Sequence, residues 1–262
     1  MGTARVDGIA IDYSDTGTGR GLPIVCLTGW CSDRNRYANF VPQAARSRRV
    51  VTIDWRGHGG SGASPADFGT RELADDVLAV VDAADLDEFC LVSASHSGWV
   101  AIEACGRVPE RIPRVLHFDW LVTEPSDRYL AVIEGLQSEA TWESARDTLF
   151  DIWRGGIEDP DVEAAIAAMA RHGAEMWMRS GREIEAAFRE HGSPLAAWSR
   201  AESRPRILHL YGQPQDPAYF ARQQSFAADN DWFSVHHLPA RSHFTMIESP
   251  IEAVAVLDEF LR

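Results

Sequence analysis

A serine in a sharp turn is the first candidate for chemistry in this chain. Ser95 lies in the stretch SASHSGWV, between the strand-like segment FCLVS and the helix-like segment SGWVAIEAC. A strand-to-helix turn of the G-x-S-x-G type exposes its central serine, so that the hydroxyl can act as a nucleophile or bind a substrate. Ser93 and Ser97 occupy the two glycine positions here, and serine is small enough to preserve the turn. The strand–turn–helix context turns a weak pattern into a moderate one.

A histidine near the C-terminus is the strongest candidate for a general base. His243, in LPARSHFTMIESP, follows the last predicted strand and precedes the last predicted helix. In proteins with such a serine turn, the chain order is serine, acid, histidine. Two acids satisfy this order: Asp119 at the end of RVLHFDW and Asp216 in LYGQPQDP. Both remain open as the partner that orients His243, whereas His117 is interpreted as structural.

Two backbone N–H groups are candidates for binding an oxygen that gains negative charge. One belongs to His96, directly after the serine, and the other to Trp30, in the turn after PIVCLTGW. Paired N–H groups of this kind stabilise an oxyanion in a reaction that builds charge on a carbonyl oxygen. The same turns can also be read as ordinary connections between a strand and a helix.

Strand-like and helix-like segments alternate along most of the chain. Short β-rich runs such as FCLVSAS and RILHLYGQP are separated by amphipathic runs such as TRELADDVLAVVDAADL, whose apolar residues recur with a helical period. This alternation predicts an α/β fold with a mostly parallel sheet and helices on both faces. Strand signals vanish at about 122–203, where tryptophans and methionines recur among helix formers. We therefore expect one domain over residues 1–262 with an inserted helical cap subdomain at about 122–203.

Composition and charge argue against several classes of protein. The formal net charge of -14 at pH 7 is spread along the chain, so nucleic acid is a poor partner. No apolar run approaches the roughly 20 residues that span a bilayer, and the N-terminal residues lack the layout of a signal peptide. We therefore expect a cytoplasmic protein without membrane contact. The four cysteines form no C-x-x-C or zinc-type cluster, which predicts no metal, and no obligate protein partner is evident.

Eight short strings together resemble one enzyme family, and the resemblance runs from the first strand to the last helix, including the cap. They are LTGWCSD, DWRGHG, SHSGWV, FDWL, LFDIW, GSPL, WFSVHHLP and SHF. They are similar to segments of the cofactor-independent 2,4-dioxygenases that cleave 3-hydroxy-4(1H)-quinolones. The most specific features are the W-C pair, the serine–histidine turn followed by W-V, the D-W pair and F-D-x-W. The resemblance implies an α/β-hydrolase fold with a mostly parallel eight-stranded sheet.

The resemblance also implies roles for the candidate catalytic residues. His243 would be the base and Asp119, rather than Asp216, would be its partner. Ser95 would form a hydrogen bond with the substrate and would not become covalently attached to it. Asp216 would then be a loop or helix-capping residue.

Four further residues would contact the substrate if the resemblance holds. The amides of Trp30 and His96 would polarise the 4-oxo group, and Trp153 would line the cavity. Ser32 stands where family members can carry a histidine, so it would border one wall of the pocket.

The implied reaction requires no cofactor, because the substrate itself supplies the electrons. Removal of the 3-hydroxyl proton gives an anion that reduces O2, and the products are an N-acylanthranilate and carbon monoxide. The expected partners are thus O2 and a small aromatic heterocycle, with or without a 2-alkyl chain, degraded either as a nutrient or as a signal. Two alternatives remain. One is a serine hydrolase of an ester, lactone or amide that uses Ser95, Asp119 and His243, and the other is a receptor that binds a small molecule without turnover.

Overall fold

Eight β-strands form one sheet in the computed structural model, which describes residues 1–262. The strand order is β1-β2-β4-β3-β5-β6-β7-β8. The pairs β1–β2 and β2–β4 are antiparallel, and all other neighbours are parallel. The strands are β1 Gly2–Val6, β2 Ile9–Thr16, β3 Gly21–Leu27, β4 Arg48–Ile53, β5 Cys90–Ala94, β6 Arg114–Phe118, β7 Arg206–Tyr211 and β8 Phe233–His237. The prediction of a mostly parallel eight-stranded sheet is confirmed.

Eleven α-helices accompany the sheet. They are α1 Val41–Ala44, α2 Thr70–Ala83, α3 Ser97–Arg107, α4 Asp127–Gly135, α5 Trp142–Arg154, α6 Pro160–Met169, α7 Ala174–His191, α8 Pro194–Arg200, α9 Pro217–Asp229, α10 Thr245–Glu248 and α11 Pro250–Phe260. No helix combines the length and the apolar character needed to cross a membrane.

Helix α2 shows why these segments are helical. Leu73, Val77 and Val80 recur at helical spacing and are buried, and the helix packs against α3 and β1. At its start, the backbone N–H of Gly69 donates a hydrogen bond to the Glu72 carboxylate (2.8 Å). This bond satisfies an N–H group that would otherwise lack a partner at the helix terminus. The periodic apolar face and the capping contact therefore both stabilise α2.

Helices α4 to α8 follow one another between β6 and β7 with no strand among them. We call residues 127–200 the helical cap. Helices α4, α5 and α7 contact one another, and the Phe150 ring meets Trp177 edge-on at 5.5 Å between centroids. An inserted helical cap was predicted and is present, while its exact limits as a subdomain, at about 122 and 203, stay a prediction.

Three neighbouring strands end in turns where a non-glycine residue has positive φ. Cys31 follows β3 with φ 58°, Ser95 follows β5 with φ 55°, and Asp119 follows β6 with φ 42°. Such a backbone conformation costs an L-residue on the order of 1–3 kcal/mol and recurs where a fold builds a binding or reaction site. Because β3, β5 and β6 are adjacent and parallel, the three turns lie at the same edge of the sheet.

Candidate active site

A cavity lies between this edge of the sheet and the helical cap. Five residues predicted from the sequence line it: Trp30, Ser95, His96, Trp153 and His243. We call it the reaction cavity. A larger groove between α2, α3 and α7 is open to solvent and contains none of the predicted site residues.

The rest of the reaction-cavity wall is mainly apolar and comes from the helical cap. Ile133, Leu136, Leu149, Met169 and Trp177 all contribute to it. These side chains provide a dry surface suited to a flat aromatic ligand, for which stacking and desolvation supply most of the binding free energy.

The turn that carries Ser95 is held by backbone contacts and by the serine that replaces a glycine. The Ser95 N–H donates to the Phe118 carbonyl (2.8 Å), which ties the turn to β6. Ser97 Oγ accepts from the Ala94 N–H (2.9 Å) and lies 3.1 Å from the Leu27 carbonyl, a second tie to β3. The Ser95 hydroxyl, by contrast, has no protein hydrogen-bond partner. The serine at position 97 thus strengthens the turn and leaves the Ser95 hydroxyl free at the cavity.

His243 is held by Trp153 through both its backbone and its ring. Its N–H donates to the Trp153 carbonyl (2.8 Å), and the two rings stack with centroids 5.1 Å apart and planes 16° from parallel. The Nε2 atom is buried and has no hydrogen-bond partner in the protein. Burial, together with the positive charge of Arg36 and the neighbouring His96, places the pKa of His243 well below its usual value. The imidazole is therefore neutral at pH 7 and can accept a proton.

Asp119 organises the loops that surround His243. Its carboxylate accepts hydrogen bonds from the N–H groups of Gly212 (2.8 Å) and Gln213 (3.2 Å), and from both the N–H and the hydroxyl of Thr245. Burial raises the pKa of Asp119, while these hydrogen bonds act in the opposite direction by stabilising the carboxylate. None of its hydrogen bonds goes to His243. The partnership of Asp119 with His243 therefore stays a prediction.

Asp216 occupies a different place from the other candidate acid. It is exposed and precedes α9, where its side chain accepts from the Ala218 N–H (2.9 Å) and Pro217 begins the helix. The predicted helix-capping role of Asp216 is confirmed.

The two predicted backbone donors have no protein acceptors. Neither the N–H of Trp30 nor that of His96 forms a hydrogen bond within the protein. The Trp30 ring is fixed by stacking on Phe68 at 5.8 Å between centroids. The His96 Nε2 atom pairs with the Tyr129 hydroxyl at 2.6 Å, and burial lowers the pKa of His96 to about 3. Both residues line the reaction cavity and have N–H groups free to bind an oxygen.

The predicted contact of Ser32 with the substrate stays a prediction. Ser32 is not among the residues that line the reaction cavity; it borders a surface cavity of about 300 Å³ that also includes Asp161 from α6. Cys31, with φ 58°, turns the chain directly before Ser32, and its N–H is held by His58 Nε2 (3.0 Å). Arg36, four residues further along, lines both this surface cavity and the reaction cavity.

Three residues near His243 were not predicted from the sequence. Arg36 and Tyr129 line the reaction cavity, and Thr245 binds Asp119. Arginine is usually exposed and Tyr129 belongs to an amphipathic helix, so neither carries a local signal. The position of Thr245 two residues after the candidate base is the one hint that the sequence offered.

No group of three or more His, Cys, Asp or Glu side chains in the chain is arranged to hold a metal ion.

The fold and this site define the class of protein. The model of the alpha/beta hydrolase family matches residues 24–257. The chain is also 34% identical over 264 residues to the 1H-3-hydroxy-4-oxoquinoline 2,4-dioxygenase of Pseudomonas putida, with 100% of both chains covered. It is 37% identical over 240 residues to a 2-heptyl-3-hydroxy-4-quinolone dioxygenase of Rhodococcus erythropolis, covering 91% of this chain and 86% of that one.

Solved structures support the same assignment. The structure of 1H-3-hydroxy-4-oxoquinoline 2,4-dioxygenase superposes with a TM-score of 0.95 over 100% of both chains at 34% identity. A second solved structure is that of an enzyme that cleaves the ring of the Pseudomonas quinolone signal, in complex with its product. It gives a TM-score of 0.94 at 32% identity, covering 100% of this chain and 99% of that one. The chain therefore belongs to the 3-hydroxy-4-quinolone 2,4-dioxygenases of the alpha/beta hydrolase family, and the predicted resemblance is confirmed.

Proposed function

We propose that this protein cleaves a 3-hydroxy-4(1H)-quinolone with O2 to give an N-acylanthranilate and carbon monoxide. One observation carries the proposal. The reaction cavity contains a neutral imidazole nitrogen without a protein partner, at His243, together with two N–H groups without acceptors, at Trp30 and His96. A base and an oxyanion site in one dry cavity match a substrate whose hydroxyl must lose a proton beside a carbonyl group.

In the first step, His243 takes the proton of the 3-hydroxyl group. A well-placed general base accelerates such a step by roughly 10²–10⁴-fold. The N–H groups of Trp30 and His96 bind the 4-oxo oxygen as negative charge spreads onto it, and each donor of this type contributes about 3 kcal/mol. The bound anion is then electron-rich enough to reduce O2.

In the following steps, both atoms of O2 enter the product. Oxygen adds at C2 and closes onto C4 as a bridged peroxide. Cleavage of this bridge expels C3 as carbon monoxide, leaving C4 as the carboxylate and C2 as the acyl carbon. The proton held by His243 returns to solvent or product, so atoms, electrons and protons balance.

Ser95 forms a hydrogen bond with the substrate in this reaction and makes no covalent bond. Its hydroxyl and His243 Nε2 both belong to the reaction cavity, but they are not hydrogen-bonded to each other. A serine nucleophile needs such a base to remove its proton. The arrangement therefore supports the dioxygenase over the serine hydrolase.

The apolar wall of the reaction cavity contacts the C2 substituent of the substrate. One relative is named for the quinoline without a 2-substituent and another for the 2-heptyl compound. The cap residues Ile133, Leu136 and Leu149 extend the apolar lining beyond the aromatic residues. This lining supports a 2-alkyl substrate.

Turnover with and without oxygen tests the proposed function. Purified protein is incubated with 3-hydroxy-4(1H)-quinolones bearing hydrogen, methyl or heptyl at C2, in air and under nitrogen, and carbon monoxide and product mass are recorded. We expect carbon monoxide only in air, and two labelled atoms in the N-acylanthranilate under ¹⁸O2. Product formation under nitrogen would indicate a hydrolase, and binding without product under either gas would indicate a receptor.

We also propose that the protein acts in the cytoplasm. All four cysteines are free and buried, as is usual where thiols are kept reduced. Cell fractionation with an antibody against the protein tests this location, and recovery in the membrane or secreted fraction would contradict it.

A further inference from the structure

Arg36 is a buried cation without an acidic partner. It is 3% exposed and forms no ion pair. Its Nη2 atom donates to the His243 carbonyl (2.9 Å), its Nε atom has no partner, and its guanidinium carbon lies 4.6 Å from the centroid of the Phe244 ring. A buried charge is costly unless other groups compensate it.

Arg56 shows how the same protein compensates a buried arginine elsewhere. Arg56 is also 3% exposed, but its guanidinium holds both oxygens of Asp76 at 2.9 and 2.6 Å. That pair lies outside the reaction cavity, whereas Arg36 lines the cavity beside His243. The charge of Arg36 is therefore placed where a ligand can compensate it.

The titratable groups around Arg36 leave this charge unbalanced. Burial keeps the neighbouring Tyr37 hydroxyl and the His243 imidazole neutral, because it raises the pKa of Tyr37 and lowers that of His243. Asp119 is the carboxylate that interacts with Arg36 electrostatically, and its oxygens are already occupied by Gly212, Gln213 and Thr245. The guanidinium thus keeps hydrogen-bonding capacity and positive charge that the protein does not use.

We propose that Arg36 binds the anionic form of the substrate and stabilises the negative charge that His243 creates. This inference rests on the proposed function. When the proton moves, the heterocycle becomes negative and the imidazole becomes positive in a cavity with few polar groups. The Arg36 guanidinium faces the first charge and the Asp119 carboxylate the second, so that positive and negative charges alternate. Coulomb attraction at this depth is many times stronger than in water.

The proposal separates binding of the anion from the later oxygen chemistry. Without O2 the substrate can bind and lose its proton but cannot react further. The fraction of bound substrate in the anionic form then measures the stabilisation directly, because deprotonation changes the absorbance of the heterocycle.

The experiment follows this absorbance for bound 3-hydroxy-2-methyl-4(1H)-quinolone under nitrogen as the pH is raised. The proteins are the wild type, Arg36→Met, Arg36→Lys and the control Arg171→Met, which removes an exposed arginine from the surface cavity that contains Ser32. In Arg36→Met we expect the pH of half-deprotonation to rise by about one unit, a tenfold loss of anion stabilisation. Arg36→Lys should recover most of this loss, and Arg171→Met should match the wild type.

Turnover in air gives a second measure and separates the two proposals. We expect kcat of Arg36→Met to fall about tenfold with KM little changed, because the neutral substrate does not need the cation for binding. The variant should be at least as thermostable as the wild type, since an unpaired buried charge has been replaced by an apolar side chain. If Arg36→Met fails to fold, Arg36→Gln replaces it beside Arg36→Lys.

Two results would overturn the inference: deprotonation of the bound substrate at the wild-type pH in the neutral variant, or an equal shift in Arg171→Met. If the wild type releases no carbon monoxide in air, the proposed function fails instead.

Discussion

Two serine–histidine pairs lie close together at the carboxyl edge of the sheet, and they differ in how their polar atoms are satisfied. In the first pair, Ser93 Oγ lies 2.6 Å from His117 Nδ1, and the Trp198 indole donates to His117 Nε2 (3.2 Å). Because Nε2 accepts, Nδ1 carries the proton and donates to the serine. In the second pair, the Ser95 hydroxyl and His243 Nε2 have no protein partners.

The difference separates a structural pair from a reactive one. Both histidines are buried, and burial lowers the pKa of each well below its usual value. His117 uses its two nitrogens to join β5, β6 and α8, so a substrate finds nothing to bind there. His243 keeps one nitrogen unpaired at a cavity. Native proteins satisfy nearly all buried polar groups, so the unsatisfied ones are informative.

The largest effect should come from removing the reactive histidine. In His243→Ala, kcat should fall by roughly 10²–10⁴-fold, because the general base is lost. The free energy of unfolding should fall by about 0.5–1.5 kcal/mol, because the stacking of the ring on Trp153 is lost, while Nε2 makes no hydrogen bond whose loss would add to this cost. Steady-state carbon monoxide release and thermal unfolding measure the two quantities. Less than a tenfold loss of kcat would show that another group removes the proton.

The next effect concerns Asp119 and decides whether it acts on His243 or only holds the loops. Asp119→Asn keeps an oxygen for the Gly212 N–H but removes the negative charge that would stabilise an imidazolium. We expect kcat to fall by roughly 10–10²-fold, about 1.4–2.8 kcal/mol. Rapid-reaction absorbance under nitrogen should show slower formation of the substrate anion. An unchanged rate would assign Asp119 a purely structural role.

A matched pair of serine variants tests the comparison itself. Ser93→Ala leaves the His117 Nδ1–H without its acceptor and should lower the free energy of unfolding by about 1–3 kcal/mol with kcat unchanged. Ser95→Ala removes a hydroxyl that the protein does not use, so it should leave stability unchanged and lower kcat/KM by about tenfold, the value of one hydrogen bond to the substrate. Urea unfolding and kinetics are measured on both variants. Complete loss of activity in Ser95→Ala would instead favour a nucleophilic serine.

The smallest expected effect is a decrease in the free energy of unfolding of the wild-type protein at acid pH. Burial lowers the pKa of His96 to about 3 and that of His209 to about 4, and also lowers the pKa of His117 and His243. Below about pH 6.5 the unfolded chain therefore binds more protons than the folded one. Keeping these histidines neutral costs no stability above about pH 6.5, and the folded state loses stability as the pH falls from about 6.5 to about 3. Each contributes up to about 1.4 kcal/mol per pH unit.

The His243→Ala variant measures how much His243 contributes to this loss of stability at acid pH. Since it removes one of these groups, urea unfolding at several pH values should give an acid slope smaller by about one proton than that of the wild type. An identical slope would mean that His243 already carries its proton in the folded protein.

The local sequence pattern was sufficient to predict the fold and several of the residues that line the reaction cavity. The strand–turn–helix reading around Ser95 is confirmed by its φ of 55° and by β5 and α3 on either side. The Asp216–Pro217 pair is a local signal typical of a helix start, and it distinguishes Asp216 from Asp119. Two features have a tertiary origin that the sequence does not show. Ser32, after the turn at Cys31, borders another cavity, and no local pattern marks Arg36 as buried.

The positive-φ turns at Cys31, Ser95 and Asp119 have a consequence for how substrate preference can change. They fix Ser95, Asp119 and the loop that carries Trp30 to the ends of adjacent strands, whereas most of the apolar lining comes from α4, α5, α6 and α7. Mutations in those helices at positions other than Trp153, which holds His243, can therefore reshape the space around the ring while the proton-transfer geometry is inherited intact. New quinolone preferences can arise in such a lineage without the chemistry being reinvented.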